Sequence, residues 1–101
     1  VIGASAQPLS GGSNQIVIGY AAQGNGANTA TIGNSSITAT YISGALIPSL
    51  PVILPSYNVN ALPSASTYNK GIIHVANGSA NQRLAVSDGS NWRFPDGTIV
   101  N

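Results

Sequence analysis

The chain has 101 residues, of which 43% are hydrophobic and only 5% are charged, and its formal net charge is +1 at pH 7. So small a charge, without a basic cluster, excludes the electrostatic steering with which proteins bind nucleic acid or an anionic membrane surface. The absence of cysteine excludes a disulfide framework and a thiolate metal site, and since no run reaches the roughly 18 apolar residues of a membrane span, we expect no membrane insertion.

The few charged residues are unevenly distributed along the chain. All of them lie in the last third, so residues 1–69 carry no charged side chain. The surface of a small soluble monomer ordinarily carries about a quarter to a third charged residues. An uncharged and apolar stretch of this length indicates burial against identical neighbours, with Ser, Thr, Asn and Gln covering the remaining surface. Because the chain begins within a repeat and without Met, we expect it to be a piece of a longer protein.

A short repeat organises the first third of the chain. Ile16-Val17-Ile18-Gly19 recurs as Ala30-Thr31-Ile32-Gly33, and Val1-Ile2-Gly3 matches Val17-Ile18-Gly19 at a slightly longer interval. Each apolar run is followed by glycine and other small residues, which permit sharp turns. A unit of about 14 residues is too short for a strand and a helix, but stacked coils of this length place like residues above like residues at about 4.8 Å per coil. The repeat predicts a β-solenoid or β-roll with a ladder of isoleucines inside.

The pattern (N)x(I/V)xIGxxAxGxGAN, which covers residues 1–33 and includes Asn28, resembles the head repeat of trimeric adhesins of the YadA type. The same repeat occurs in tail fibres of bacteriophages. The resemblance implies a left-handed parallel β-roll in which three chains associate about a common axis. The first copy departs from the pattern at Pro8-Leu9, where we expect a loop or an irregular coil. The predicted trimer core consists of Ile2, Ile16, Ile18, Ile32, Leu50 and Ile53.

Two further segments follow the repeat. Asn34–Gly44 alternates and is rich in β-branched residues, which predicts a strand that leads out of the roll and completes a first domain over residues 1–44; a further irregular coil is the alternative. Ala45–Pro63 contains four prolines, which exclude a helix interior and a central strand. A flexible linker would be polar, whereas this segment is apolar. We therefore predict an extended connector over residues 45–63, wound with two further copies around the trimer axis; alternatively, it folds back over the C-terminal sheet.

Residues 64–101 predict a small antiparallel β domain. Short apolar runs separated by turns that contain Gly give four strands, at Gly71–Ala76, Arg83–Ser87, Asn91–Phe94 and Thr98–Val100. The string from Ala61 to Arg93 resembles a module that recurs near the ends of phage tail-fibre and other virion proteins. Both resemblances therefore indicate the same class of protein.

Trp92, with Arg93 beside it, is the predicted ligand contact, because sugars stack on aromatic faces and Trp and Arg are enriched at interaction hot spots; a tryptophan in the core is the alternative.

His74 lies within an alternating strand without the spacing of a nucleophile elbow. Asp88 and Asp96 are the only carboxylates, and both precede glycine in turns, whereas a glycosidase needs a pair with one raised pKa. We expect no catalytic residue, no metal site and no cofactor.

The sequence therefore predicts an all-β, elongated homotrimer: a structural and adhesive fibre segment of a phage tail, located in the virion. Its expected partners are two further copies, other tail or fibre proteins, and a host cell-surface receptor or glycan. Three equivalent sites on a rigid shaft would gain avidity through multivalency. The alternatives are the head of a bacterial trimeric surface adhesin, which would be extracellular or on the cell surface, a passive architectural spacer, and a capsule depolymerase fibre.

Overall fold

The computed structural model describes all 101 residues and is all-β, which confirms the predicted class. The chain divides into two compact units, Val1–Leu46 and Ile47–Asn101. One two-stranded sheet and one four-stranded sheet are present. The strands are β1 (Gln15–Ile18), β2 (Thr29–Ile32), β3 (Ser56–Tyr57), β4 (Ile72–Val75), β5 (Leu84–Ser87) and β6 (Trp92–Arg93), with a short 3-10 helix at Ser79–Asn81.

The pairing of strands in the first unit follows the spacing of the repeat. β1 and β2 are parallel, and Gln15 pairs with Thr29 and Ile18 with Ile32, each partner lying one repeat further along the chain. Ile2 in turn pairs with Ile18 across the longer interval of the first copy. Residues that match in the sequence therefore lie beside each other on neighbouring strands.

The turns between these strands also stack on one another. Gly3 and Gly19 have φ values of +120° and +125°, and a Cβ atom on Gly3 would lie 2.7 Å from the carbonyl carbon of Gly19. Only glycine fits so close an approach in this conformation. Asn14 and Asn28 both have positive φ, and the Asn14 Nδ2 donates to Asn28 Oδ1 over 2.9 Å. Repetition of these turn residues fixes the register of the strands.

The inward face of β1 carries Val17, and the isoleucines face the other way. Val17 is fully buried, whereas Ile16 is 55% exposed and Ile32 is 70% exposed. The prediction of an isoleucine ladder inside the coil is therefore wrong for the single chain. Val17 and Ala22 are the buried hydrophobic residues of the first unit, and the Gln15 amide bonds the backbone N–H and C=O of Leu9.

The strand predicted over Asn34–Gly44 is absent. The Asn34 side chain accepts from the Ser36 N–H in a turn, and the residues that follow form no ladder before β3. Tyr41 is 95% exposed and Ile42 is 60% exposed. Alternation favours a strand only where another strand supplies hydrogen-bonding partners, and no segment of this chain pairs with these residues.

The second unit contains a mixed sheet in the order β3-β4-β5-β6. β3 is parallel to β4, while β4–β5 and β5–β6 are antiparallel. Within the predicted 64–101 domain the strands pair antiparallel as predicted, and β3, from the proline-rich segment, adds a parallel strand that was not predicted. Within the predicted 45–63 connector, Tyr57, Val59 and Leu62 pack against the core of this unit, as the alternative of folding back over the sheet requires. The fourth predicted strand is reduced to a single bridge between Arg93 and Ile99.

One hydrophobic core lies behind the larger sheet. Its buried members are Ile73, Val75, Ala85, Trp92, Phe94 and Val100. The buried Ser87 completes the packing, since its Oγ donates to the Ala65 carbonyl over 2.6 Å and accepts from the Gly89 N–H over 3.0 Å. The opposite face of the sheet also carries apolar side chains, because Ile72 and Val86 form a cross-strand pair and remain 45% and 44% exposed.

Candidate functional site

The turn between β5 and β6 contains an ion pair at the predicted ligand contact. Asp88 Oδ1 accepts from the backbone N–H groups of Ser90 and Asn91, at 2.9 and 2.7 Å, and Asp88 Oδ2 accepts from Arg93 Nε. Arg93 also donates from Nη1 to the Gly97 carbonyl over 2.8 Å. The bond from Arg93, followed by those from the two backbone N–H groups, holds the pKa of the Asp88 carboxyl well below its usual range. Both side chains remain about two-fifths exposed.

Asp96 occupies the next turn in the same manner. Its Oδ1 accepts from the hydroxyl and the backbone N–H of Thr98, at 2.7 and 2.9 Å. These bonds lower the pKa of the Asp96 carboxyl. Neither aspartate therefore has the raised pKa that the general acid of a glycosidase requires, and both are hydrogen-bonded within their own turns, as the Asp-Gly dipeptides predict.

His74 forms a hydrogen-bonded pair with a serine that the sequence analysis did not single out. Ser56 Oγ lies 2.7 Å from His74 Nδ1, because Ser56 of β3 is the register partner of His74 on β4. In a Ser-His-Asp triad the serine bonds Nε2 and the carboxylate bonds Nδ1–H. Here the serine occupies the position of the carboxylate, and neither aspartate bonds the imidazole. The pair is a cross-strand contact at the edge of the sheet.

Trp92 belongs to the core of the second unit. It is 4% exposed, and its indole Nε1 donates to the Pro63 carbonyl over 2.8 Å. The adjacent Arg93 points to the opposite side of β6, as alternation along a strand requires. The predicted ligand contact Trp92 and Arg93 therefore does not form one continuous surface, and only the small remaining exposed part of the indole is open to a ligand.

A cavity of about 190 Å³ lies at this remaining part of Trp92. Three aromatic rings and two prolines contribute to its walls, together with the start of β4. The lining residues are Pro55, Tyr57, Pro63, Tyr68, Gly71, Ile72, Ile73 and Trp92. Its lining is mainly apolar, and the indole N–H of Trp92 is already bonded to the Pro63 carbonyl. Such a cavity suits a small apolar or aromatic-stacking group.

The residues predicted to form a trimer core are mostly exposed in the single chain. Ile2, Ile16 and Ile32 are 66%, 55% and 70% exposed, and Ile18 is half-buried. Leu50 and Ile53 are 78% and 93% exposed. Ile2, Ile18 and Ile32 are successive register partners, so the structure brings them into one row. Leu50 and Ile53 lie in the segment before β3 and belong to no strand.

Sequence reasoning missed the cavity and the contribution of the proline-rich segment to it. The sequence gives no reason to single out Tyr57 or Tyr68 among the tyrosines, and the role of Pro55 depends on the parallel pairing of β3 with β4. The signal available in the sequence is the alternation Tyr57, Val59 after Pro55, which is the pattern of a short half-buried strand. So short a pairing cannot be distinguished from a loop by this pattern.

Comparison with protein-family models, with curated proteins and with solved structures gave no match for this chain. The structure also contains no helix with the length and apolar character needed to cross a membrane.

Proposed function

We propose that this chain is one subunit of a homotrimeric fibre segment of the phage-tail type, with a structural and adhesive function. The observation that carries the proposal is the row of isoleucines on the outside of the first unit. Ile2, Ile18 and Ile32 follow one another at the offsets of the repeat, and the two at the ends are about two-thirds exposed. The rows of three chains can pack against one another, because each chain presents its isoleucines at the same levels along the common axis.

The total exposed surface supports association. The chain exposes 7226 Å², whereas two separate compact domains of half its mass would together expose about 6,400 Å². Much of the surface is apolar: eight hydrophobic residues are buried and nineteen large hydrophobic residues are exposed. Scattered apolar residues are ordinary on a monomer, but so large an excess marks surface that is buried in an assembly.

The distribution of charge supports the same arrangement. Residues 1–69 contain no charged side chain. Three copies can therefore associate through this region without the free-energy cost of removing charged groups from water. The polar side chains that remain are amides and hydroxyls, and several of them bond within the chain, as Asn14 does to Asn28. A three-chain β-roll, followed by apolar segments packed around the axis, uses both features.

The adhesive part of the proposal rests on the second unit. Asp88 and Arg93 supply acceptor and donor groups side by side at the surface, which is the combination that binds sugar hydroxyl groups. Three such sites per fibre give avidity when the shaft fixes their separation. We place the fibre in the virion, where its partners are other tail or fibre proteins and a host receptor or surface glycan, and we assign it no enzymatic activity.

The experiment that tests the trimer is the mass of the native chain in solution, measured by sedimentation, and its migration in detergent with and without boiling. A species of three chain masses that persists in cold detergent and falls to one chain mass after boiling is the expected result, because interwound chains dissociate slowly. A single-chain mass at micromolar concentration overturns the proposal.

The adhesive role is tested separately on a glycan array and on host cells. Arg93→Gln is expected to reduce binding at least tenfold, while Lys70→Gln, which also removes one positive charge, leaves it unchanged. Trp92→Ala is unsuitable, because removal of a buried tryptophan destabilises the unit itself. A trimer that binds no glycan and no cell is a passive spacer, and this result overturns the adhesive part alone.

A further inference from the structure

The aromatic cavity of the second unit has a lining that suits a proline ring. Tyr57, Tyr68 and Trp92 present aromatic surface, while Pro55 and Pro63 complete the wall. Grooves lined by aromatic side chains recognise extended proline-containing segments, because the proline ring is rigid and packs flat against them. The volume of about 190 Å³ is below the roughly 300–1,000 Å³ of clefts that hold drug-sized ligands. It fits one ring with parts of its neighbours.

A segment of this chemistry occurs in the chain itself. Leu50-Pro51-Val52 is uncharged and belongs to no strand, helix or turn with a hydrogen-bonded backbone. Leu50 is 78% and Val52 is 60% exposed, and Pro51 is exposed between them. The chain bends at Ser49 and Leu50 and then runs without a further bend or turn from Pro51 to Pro55, so the exposed Pro51 ring stands at the start of this unbent stretch.

We propose that the cavity of one subunit receives the Pro51 ring of a neighbouring subunit. This inference rests on the proposed trimer and adds the contact by which its C-terminal units are tied together. The Pro51 ring stacks between Tyr68 and Tyr57 over the edge of Trp92, and the flanking Leu50 and Val52 cover the apolar rim at Ile72. No charge is buried, because neither the segment nor the lining carries one.

Pro51 cannot easily enter the cavity of its own chain, because too few residues separate it from the cavity wall. Pro55 is itself part of the wall, so insertion of Pro51 would require the chain to reverse within the short stretch between them. Pro55 fixes its own φ and holds Leu54 extended, which resists such a reversal. A neighbouring copy meets no such restriction. A sugar fits the cavity less well, since the lining is mainly apolar and the indole N–H of Trp92 is already bonded to the Pro63 carbonyl.

Cross-linking tests the contact directly, because the chain has no native cysteine. The variant Val52→Cys/Ile72→Cys places one thiol beside Pro51 and one at the rim of the cavity. Oxidation is expected to give covalent species of two and three chain masses that disappear on reduction. The control Val52→Cys/Ala76→Cys, with the second thiol at an exposed position outside the lining, is expected to give at least tenfold less. A disulfide within one chain, no disulfide, or equal yields in both variants overturns the inference.

A double-mutant cycle gives a second measurement without introducing thiols. Pro51→Ser and Tyr68→Ala each lower the midpoint of trimer dissociation in denaturant, and together they lower it by less than the sum, because they remove the same contact. Tyr41→Ala, an exposed tyrosine outside the cavity, combines additively with Pro51→Ser. Additive behaviour of the first pair overturns the inference.

The two proposals are separated by the mass of the native chain. A stable trimer that fails the cross-linking and the cycle overturns only the docking of Pro51, while a single-chain mass overturns the trimer and the docking together. Free mono- and oligosaccharides are titrated in parallel, with Trp92 fluorescence as the signal. Saturable binding that Tyr68→Ala abolishes, in a trimer with no coupling to Pro51, identifies the cavity as a carbohydrate site and overturns the inference.

Discussion

Replacement of Ile32 by serine tests directly whether the exposed row of isoleucines lies in the trimer interface. Burial of a whole isoleucine side chain contributes about 1.5–3 kcal/mol. Ile32 is 70% exposed in the single chain, so its burial in a trimer contributes about 1–2 kcal/mol per chain and about 3–6 kcal/mol per trimer. Because the dissociation constant of a trimer scales with the square of concentration, the midpoint of dissociation shifts to a concentration about 10- to 150-fold higher.

The assay is sedimentation of Ile32→Ser over a wide range of concentrations, beside the native chain. Ile42→Ser is the matched control, since Ile42 is 60% exposed in the same unit but lies outside β1 and β2. A trimer whose midpoint is unchanged by Ile32→Ser, or changed equally by Ile42→Ser, refutes the assignment of the isoleucine row to the interface. Circular dichroism of the dissociated chain is expected to be unaffected, because Ile32 adds little to the interior of its own unit.

Three further predictions concern the fold of the single chain. Ser87→Ala removes the bonds to the Ala65 carbonyl and from the Gly89 N–H and is expected to lower the free energy of unfolding by about 1–3 kcal/mol in urea denaturation. Gly19→Ala is expected to lower it by at least about 1 kcal/mol, because a φ of +125° is strained for an L residue and the added Cβ atom would lie 3.1 Å from the Gly33 Cα atom. The lowered pKa of Asp88 means that its stabilisation is present above about pH 4, the ordinary range for the unfolded chain, and is lost as the pH falls further; the thermal midpoint of Asp88→Asn is expected to fall less than that of the native chain between pH 5 and pH 2.

The serine and glycine variants each have a matched control. Ser90→Ala removes an exposed hydroxyl in the neighbouring turn and is expected to leave urea stability unchanged. Gly11→Ala also substitutes a glycine with positive φ, but nothing lies within 4 Å of the added methyl group, so its loss of stability reflects backbone conformation alone and is expected to be smaller than the loss at Gly19. An equal loss at both glycines contradicts the stacked-turn argument. An unchanged acid profile in Asp88→Asn contradicts the role of the ion pair.

The register of the first sheet could be predicted because the turn chemistry repeats with the strands. Matching Gly and Asn positions recur where the chain turns between strands, and Gly19 and Asn28 occupy positive-φ conformations at these positions. Which face points inward could not be predicted, since Ile16 and Val17 are both apolar and β-branched.

The second sheet shows a different limit. β4, β5 and β6 follow local alternation and were predictable, whereas β3 depends on a long-range pairing between Ser56 and His74. The alternation of Tyr57 and Val59 after Pro55 is too short a pattern to distinguish this strand from a loop. The alternation of Trp92 and Phe94 predicts that they share a face, but not that the face is buried. Burial of Trp92 results from the proline-rich segment, whose Pro63 carbonyl accepts its indole N–H.

The exposed segment before β3 explains why a single chain of this sequence is incompletely packed. Ile47 and Ile53 are 87% and 93% exposed, yet the prolines among them prevent the backbone from forming either a helix or an inner strand to bury them. A flexible spacer would be polar and would not need burial. An apolar segment that cannot bond its own backbone in a regular element acquires a packed environment only from side chains supplied by another surface. For this reason the same prolines that leave the segment unpaired within one chain suit it to contacts between chains.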